Sequence, residues 1–211
     1  MLNSKFIVVE GIEGSGKTTI CHFIKQLLFK YGISNTKSLR EPGSTPLSEK
    51  IRFLIKNSVN KEHIHNETEL LLVYAARIQL VRSIIQPELK KGTWIINDRH
   101  TLSSLAYQGG GRNIEKNKIL LLQLLFLKNL NPDITFYLDV EPIVGLKRIQ
   151  KRKNLDRIEK NTLKFFIKVR NTYLEYVKKN SKIIKINANY NLDTVKKDCK
   201  LKFLSWFKKI I

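Results

Sequence analysis

Gly11-Ile12-Glu13-Gly14-Ser15-Gly16-Lys17-Thr18 follows a short apolar run and opens a helical pattern, the G-x-x-x-x-G-K-[ST] spacing of a phosphate-binding loop, or P-loop. The glycines let backbone N–H groups turn inward around phosphate oxygens, and the helix N-terminus adds the positive end of its dipole. Lys17 would reach the β- and γ-phosphates of a nucleoside triphosphate, and the Thr18 hydroxyl would ligate Mg²⁺. Asp98 closes another apolar run, where a carboxylate can face the same Mg²⁺ directly or through water. Arg99 beside it offers a guanidinium to a phosphate. Arg40, Arg52 and Arg77 fall at strand ends or on cleft-side helices, and arginine is the side chain suited to bidentate recognition of a phosphate or a base carbonyl. A second anionic ligand beside the triphosphate would explain them jointly. The loop itself carries Glu13 and no basic residue between Gly11 and Gly16. Phosphoryl transfer needs positive charge on the equatorial oxygens, and Lys151-Arg152-Lys153, with Arg148 and Arg157 nearby, is the obvious supplier.

The elements that must position these groups alternate between β-rich runs and helical periodicity, the signature of a parallel α/β sheet. Strands are expected at Lys5–Glu10, Thr36–Arg40, Thr93–Asp98, Ile134–Val140 and Lys182–Asn187. Helices are expected at Gly16–Tyr31, Pro46–Asn57, Asn66–Lys90 with Asn66 as N-cap, around Ser103–Tyr107, and at Glu115–Asn129. Three more follow at Glu141–Lys151, Glu159–Lys179 and Leu192–Lys209. Gly109–Gly111 reads as a glycine loop. Five strands with intervening helices predict a doubly wound, three-layer sandwich, with the basic segment lying over the ligand cleft.

The 211 residues suit one domain with a sizeable core. Cys21 and Cys199 lie in helical segments without metal-ligand spacing, as reduced buried thiols would in a cytosolic protein. The first apolar run is too short for a signal peptide, and Ile119–Leu127 is far short of the roughly 20 residues a membrane span needs. A soluble, cytoplasmic protein is expected. Thirty-nine basic against 18 acidic residues give a net charge of +21. The lysines are spread over the whole length, which reads as a solvated surface more than a nucleic-acid patch, with some attraction for polyanionic nucleotides. His22, His63, His65 and His100 show no metal spacing and read as surface or local hydrogen-bonding residues.

Taken together the segments resemble the bacterial thymidylate kinase family over nearly the whole chain. The resemblance rests on Val9–Thr19, Arg40-Glu41-Pro42-Gly43, Tyr74-Ala75-Ala76-Arg77, Asp98-Arg99-His100, Ser104–Gly110, Tyr137–Val140 and Leu155–Glu159. It implies a P-loop nucleoside monophosphate kinase fold with a five-stranded parallel sheet flanked by helices, one domain over 1–211 with a mobile LID at about 148–158, and a homodimer. It also implies transfer of phosphate from Mg²⁺·ATP to dTMP, a step toward dTTP. Gly11 to Thr19 would bind ATP, with Lys17, Asp98, Arg99 and Arg152 catalytic and Thr18 and Asp98 at the metal. By the same resemblance Glu13 faces the deoxyribose 3′-hydroxyl, Arg52 and Arg99 the phosphate and sugar of dTMP, and Arg77 the thymine carbonyl. Ser104 and Gln108 surround the base, Tyr107 crowds the 2′ position, and Arg40 and Glu41 complete the acceptor set. A subtype lacking a P-loop arginine draws its catalytic arginine from the LID, here Arg152. One position departs: the family usually stacks a Phe on the base four residues before the thymine-binding Arg, and here Val73 stands there. A kinase for another nucleoside monophosphate is the alternative. A nucleotide switch would want an N-K-x-D motif, which the chain lacks.

Overall fold

The computed structural model describes residues 4–57, 62–128, 130–150 and 154–210. β1 (Phe6–Glu10) is buried along its whole length, as a central strand covered on both faces must be. It runs into the P-loop and α1 (Lys17–Lys30), then β2 (Thr36–Arg40) and α2 (Pro46–Lys56), whose first turn is capped by the Thr45 hydroxyl accepting from Ser48 N. α3 spans residues 66–90, with one π-helical stretch at Val81–Ile85. β3 (Trp94–Asp98) leads to α4, residues 101–111, and α5, residues 116–127. β4 (Ile134–Asp139), α6 (Pro142–Gln150), α7 (Leu163–Lys179), β5 (Ile183–Asn187) and α8 (Leu192–Phe207) complete the chain.

The five strands form one parallel sheet in the order β2-β3-β1-β4-β5, with helices on both faces. β1 therefore sits where the winding reverses, and ligands in such sheets bind beyond the carboxyl ends of the strands at that crevice. The register puts Val9 opposite Asp98 and Arg40 opposite Asp98. Glu10, Arg40 and Asp98, each the last residue of its strand, consequently reach the same end of the sheet.

Three local expectations change. Gly109–Gly111 is the π-helical end of α4, not a loop. These glycines allow close helix packing: a Cβ on Gly110 would lie 2.1 Å from Thr172 Oγ1, and one on Gly111 2.4 Å from the Phe165 ring. The N-cap of α3 is His65, while Asn66 turns its amide to the Arg112 carbonyl. α7 starts at Leu163 because the Thr162 hydroxyl accepts from Phe165 N, leaving Glu159 in the preceding turn. Asn129 and the Lys151–Lys153 part of the basic segment lie outside the described residues. Asp156, Ile158 and Glu159, just after it, do line the cleft.

Candidate active site

The carboxyl ends of β1, β2 and β3, with α2, α3 and α4, enclose a cleft of about 240 Å³. Every acceptor-side residue expected from the sequence lines it: Glu13, Arg40, Glu41, Arg52, Val73, Arg77, Arg99, Ser104, Tyr107 and Gln108. Lys17, Thr18 and Asp98 line it as well. The P-loop closes one side. Gly14 has φ 72°, and a Cβ there would meet the Gly145 carbonyl oxygen at 2.3 Å, so both handedness and space demand glycine. Ile12 is buried, Thr19 exposed, and Gly16 occupies the N-cap of α1 at φ 91°. The Ser15 hydroxyl is buried without a hydrogen-bond partner.

Lys17 Nζ donates to the Ile12 carbonyl at 3.0 Å, curled over the loop it would share with phosphates. Burial and the neighbouring Arg99 push its ammonium down to about 8, against the pull of Asp98, Glu13 and Glu10. Thr18 Oγ1 donates to Asp98 Oδ2 at 3.0 Å. A hydroxyl and a carboxylate this close are the kind of oxygen donors that Mg²⁺ takes, its other oxygens then coming from phosphate and water. Among the described residues no group of three or more His, Cys, Asp or Glu is placed to hold a metal unaided. The donor set thus fits Mg²⁺ delivered with a nucleotide.

Arg99 adopts φ 74°, a left-handed conformation that a non-glycine residue keeps only when its surroundings fix it. Its backbone N–H donates to Val9 O at 2.9 Å. Its guanidinium donates to Gly11 O, Ser103 Oγ, Tyr107 Oη and Glu13 Oε1, the last at 2.7 Å. The Tyr107 hydroxyl donates to the other Glu13 oxygen. Glu13, Arg99 and Tyr107 are therefore one prearranged cluster at the lip of the P-loop.

A second cluster lies deeper. Arg77 is 1% exposed and donates from Nε to Glu41 Oε2 at 2.6 Å, from one terminal nitrogen to Ser104 Oγ and from the other to His100 O. Its guanidinium also lies over the Tyr74 ring, 4.8 Å from the centroid, and the same side chain lines the cleft. Glu41 also accepts from Asn97 and faces His100 Nδ1, both at 2.8 Å. Burial would raise its carboxyl, but His100 and Arg77 outweigh that and hold it at about 2. Arg52 donates to Pro42 O and Arg40 to Glu49, so both arginines stand at the cleft with a protein contact already made. Val73 is one helical turn before Arg77 on the cleft wall, while Tyr74 turns away and donates to Ile119 O. Arg152 lies outside the described residues.

Sequence reasoning passed over the groups behind these clusters. Glu10, fully buried, accepts from His100 N, Ser103 N, the Ser103 hydroxyl and the Tyr173 hydroxyl, fixing the turn that carries Arg99. Burial outweighs these donors and raises its carboxyl. Its position at the end of a buried strand was a usable signal; Tyr173, an ordinary member of an amphipathic helix, gave none.

Comparison with known proteins agrees with this geometry. A family model described as thymidylate kinase matches residues 9–199. The chain is 60% identical to the thymidylate kinase of Buchnera aphidicola subsp. Baizongia pistaciae (strain Bp), over 98% of this chain and 97% of that one. It is 44% identical to the thymidylate kinase of Vibrio vulnificus (strain YJ016), over 100% and 99%. The crystal structure of thymidylate kinase from Ehrlichia chaffeensis superposes with a TM-score of 0.77 at 32% identity, covering 98% of this chain and 99% of that one. With its P-loop, Arg99 cluster and Arg77 cluster in one cleft, the chain belongs to the thymidylate kinase family.

Proposed function

We propose that the protein transfers the γ-phosphoryl group of Mg²⁺·ATP to dTMP, giving ADP and dTDP on the way to dTTP. The observation that carries this reading is the single cleft joining the P-loop Lys17 and the Thr18–Asp98 pair to the Arg77–Ser104–Gln108 group. Phosphoryl transfer is mainly positioning and charge stabilisation, and the two ends of this cleft supply both. Gly11 to Thr19 cradle the triphosphate. Thr18 and Asp98 would hold Mg²⁺, which would supply positive charge to the phosphates. Arg99 and Arg52 take the acceptor phosphate, Glu13 the 3′-hydroxyl, and Tyr107 the space a 2′-hydroxyl would fill. Arg77, Ser104 and Gln108 read the base, Arg40 and Glu41 support the acceptor side, and Arg152 of the expected LID is assigned the catalytic positive charge. Coupled ADP release with each nucleoside monophosphate in turn tests the assignment; turnover of CMP or AMP without dTMP would sink it.

Val73 leaves the base without the usual aromatic neighbour. Base–aromatic stacking contributes about 1 kcal/mol or more, so Val73→Phe should lower the KM for dTMP by about fivefold. An unchanged or higher KM would show that the pocket has repacked around valine.

The reading extends to a homodimer in the cytoplasm. Leu120, Leu121, Leu124, Leu125 and Phe126 leave an exposed apolar run on α5 suited to a second copy, and sedimentation at micromolar concentration should give twice the chain mass. Cys21 and Cys199 are buried and free, as in a reducing compartment, and among the described residues no helix is long and apolar enough to cross a membrane. Cell fractionation checks the location.

A further inference from the structure

Behind the cleft wall, α3 buries a carboxylate that the proposed chemistry does not use. Glu69 is 1% exposed and lies one turn before Val73 and two before Arg77, on the helix face that borders the acceptor pocket. Its Oε1 accepts from Gln108 Nε2 at 2.8 Å and from Arg112 Nε at 3.3 Å. Its Oε2 accepts from a terminal nitrogen of Arg112 at 3.1 Å and from one of Arg157. Burial alone would raise its carboxyl, but Arg112, Gln108 and Arg157 together hold it below the ordinary range. One charged group thus meets three segments: α3, the end of α4, and the LID root.

The chemistry at each oxygen is directional. A carboxylate only accepts, so Gln108 must turn its amide nitrogen to Glu69, and its amide oxygen is the end left for the cleft. Arg77, whose guanidinium carries donors and no acceptor, lines the same pocket. A donor beside an acceptor fits the carbonyl and N–H of a thymine or uracil ring and mismatches cytosine, whose corresponding edge has the two reversed. At the other oxygen, Arg157 is fixed by more than the ion pair. Its Nε donates to Ile55 O at 2.8 Å and its backbone N–H to Lys56 O at 2.9 Å, while Asp156 pairs with Lys56 at 2.7 Å. The root of the LID is therefore latched to the end of α2 and to Glu69 together.

We infer that Glu69 is a positioning residue that couples the base-reading amide of Gln108 to the LID root through Arg157. The inference rests on the proposed placement of dTMP in this cleft. Gln108 and Arg157 meet through opposite oxygens of one carboxylate, so loosening either lets that carboxylate shift and disturbs the other.

A double-mutant cycle read on the calorimetric Kd for dTMP, in the presence of a non-hydrolysable ATP analogue, tests this. Gln108→Leu and Arg157→Met should each weaken dTMP by about tenfold, and the pair by about tenfold to twentyfold instead of the roughly hundredfold of independent sites. In a Glu69→Gln background the two substitutions should add little further. A merely structural role would lower the urea midpoint while the single effects multiplied, and effects that multiply in the wild-type background overturn the coupling even if Glu69→Gln does not fold. A wild-type protein that binds no dTMP overturns the underlying site assignment, and the coupling with it.

Discussion

Replacing Glu41 with leucine is expected to lower the unfolding free energy by about 3–5 kcal/mol, the usual consequence of stripping one partner from a buried ion pair. Arg77 and Glu41 are 1% and 2% exposed at their side chains, so the guanidinium left behind loses its counter-charge while exposing almost no surface of its own. His100 Nδ1 and the Asn97 amide lose the same acceptor. The cost comes from orphaned groups more than from lost attraction, and this gives a second arm to the experiment. Adding Arg77→Met to Glu41→Leu should recover part of the lost stability, because an uncharged pair no longer demands solvation. The pH dependence has a definite sign. Glu41 titrates at about 2 in the folded protein against 4.5 for an ordinary glutamate, so its contribution is fully present above pH 4.5. It is lost progressively as the pH falls toward 2, by roughly 3 kcal/mol in total. Urea titrations at pH 7 and across that acidic window measure both effects. A Glu41→Leu protein within 1 kcal/mol of wild type would mean that Arg77 finds other company and that the cluster is not a unit.

This cluster also marks how far the sequence could be read. β1 and β3 were legible as short apolar runs, while the edge strand β2 has Leu39 as its one apolar residue; all three end at a residue with chemistry, Glu10 before the P-loop, Arg40 before Glu41 and Asp98 before Arg99. Once the sheet is parallel and ordered, those ends must converge, and the cleft follows. Illegible were the groups whose partners lie far along the chain. Glu69 and Arg157 are 88 residues apart and Glu10 and Tyr173 are 163 apart, and no local pattern announces such pairs. The glycines of α4 failed in another way. A glycine run ordinarily signals a turn, but here the missing side chains make room for Thr172 and Phe165, and that room exists only once α7 is in place. His100, read as a surface or locally bonded residue, is 1% exposed and bonded to Glu41.

Replacing Arg152 with methionine is expected to reduce kcat by about a thousandfold or more, the scale on which a single arginine stabilises transferring phosphoryl charge, while the KM for dTMP changes only a few-fold. Such a loss corresponds to about 4 kcal/mol of barrier. The P-loop has no arginine to offer, and its acidic residue is already engaged with Arg99. The arginines on either side of Arg152 in the sequence, Arg148 and Arg157, are committed as well. Arg148 donates to the carbonyls of Gly14, Ala188, Asn189 and Tyr190, pinning α6 to the P-loop and to the turn after β5. Arg157 is held by Ile55 O and Glu69. Spending either on the transition state would dismantle a contact that keeps the cleft in shape. Arg148→Met should accordingly raise the KM for ATP more than it lowers kcat, since it loosens the donor side without removing a charge from the reacting phosphate. Steady-state kinetics on the two variants, with circular dichroism to confirm that both fold, separates the roles. If Arg152→Met kept kcat within tenfold and Arg148→Met lost a thousandfold, the catalytic charge would belong to Arg148, and its four carbonyl contacts would have to open during each turnover.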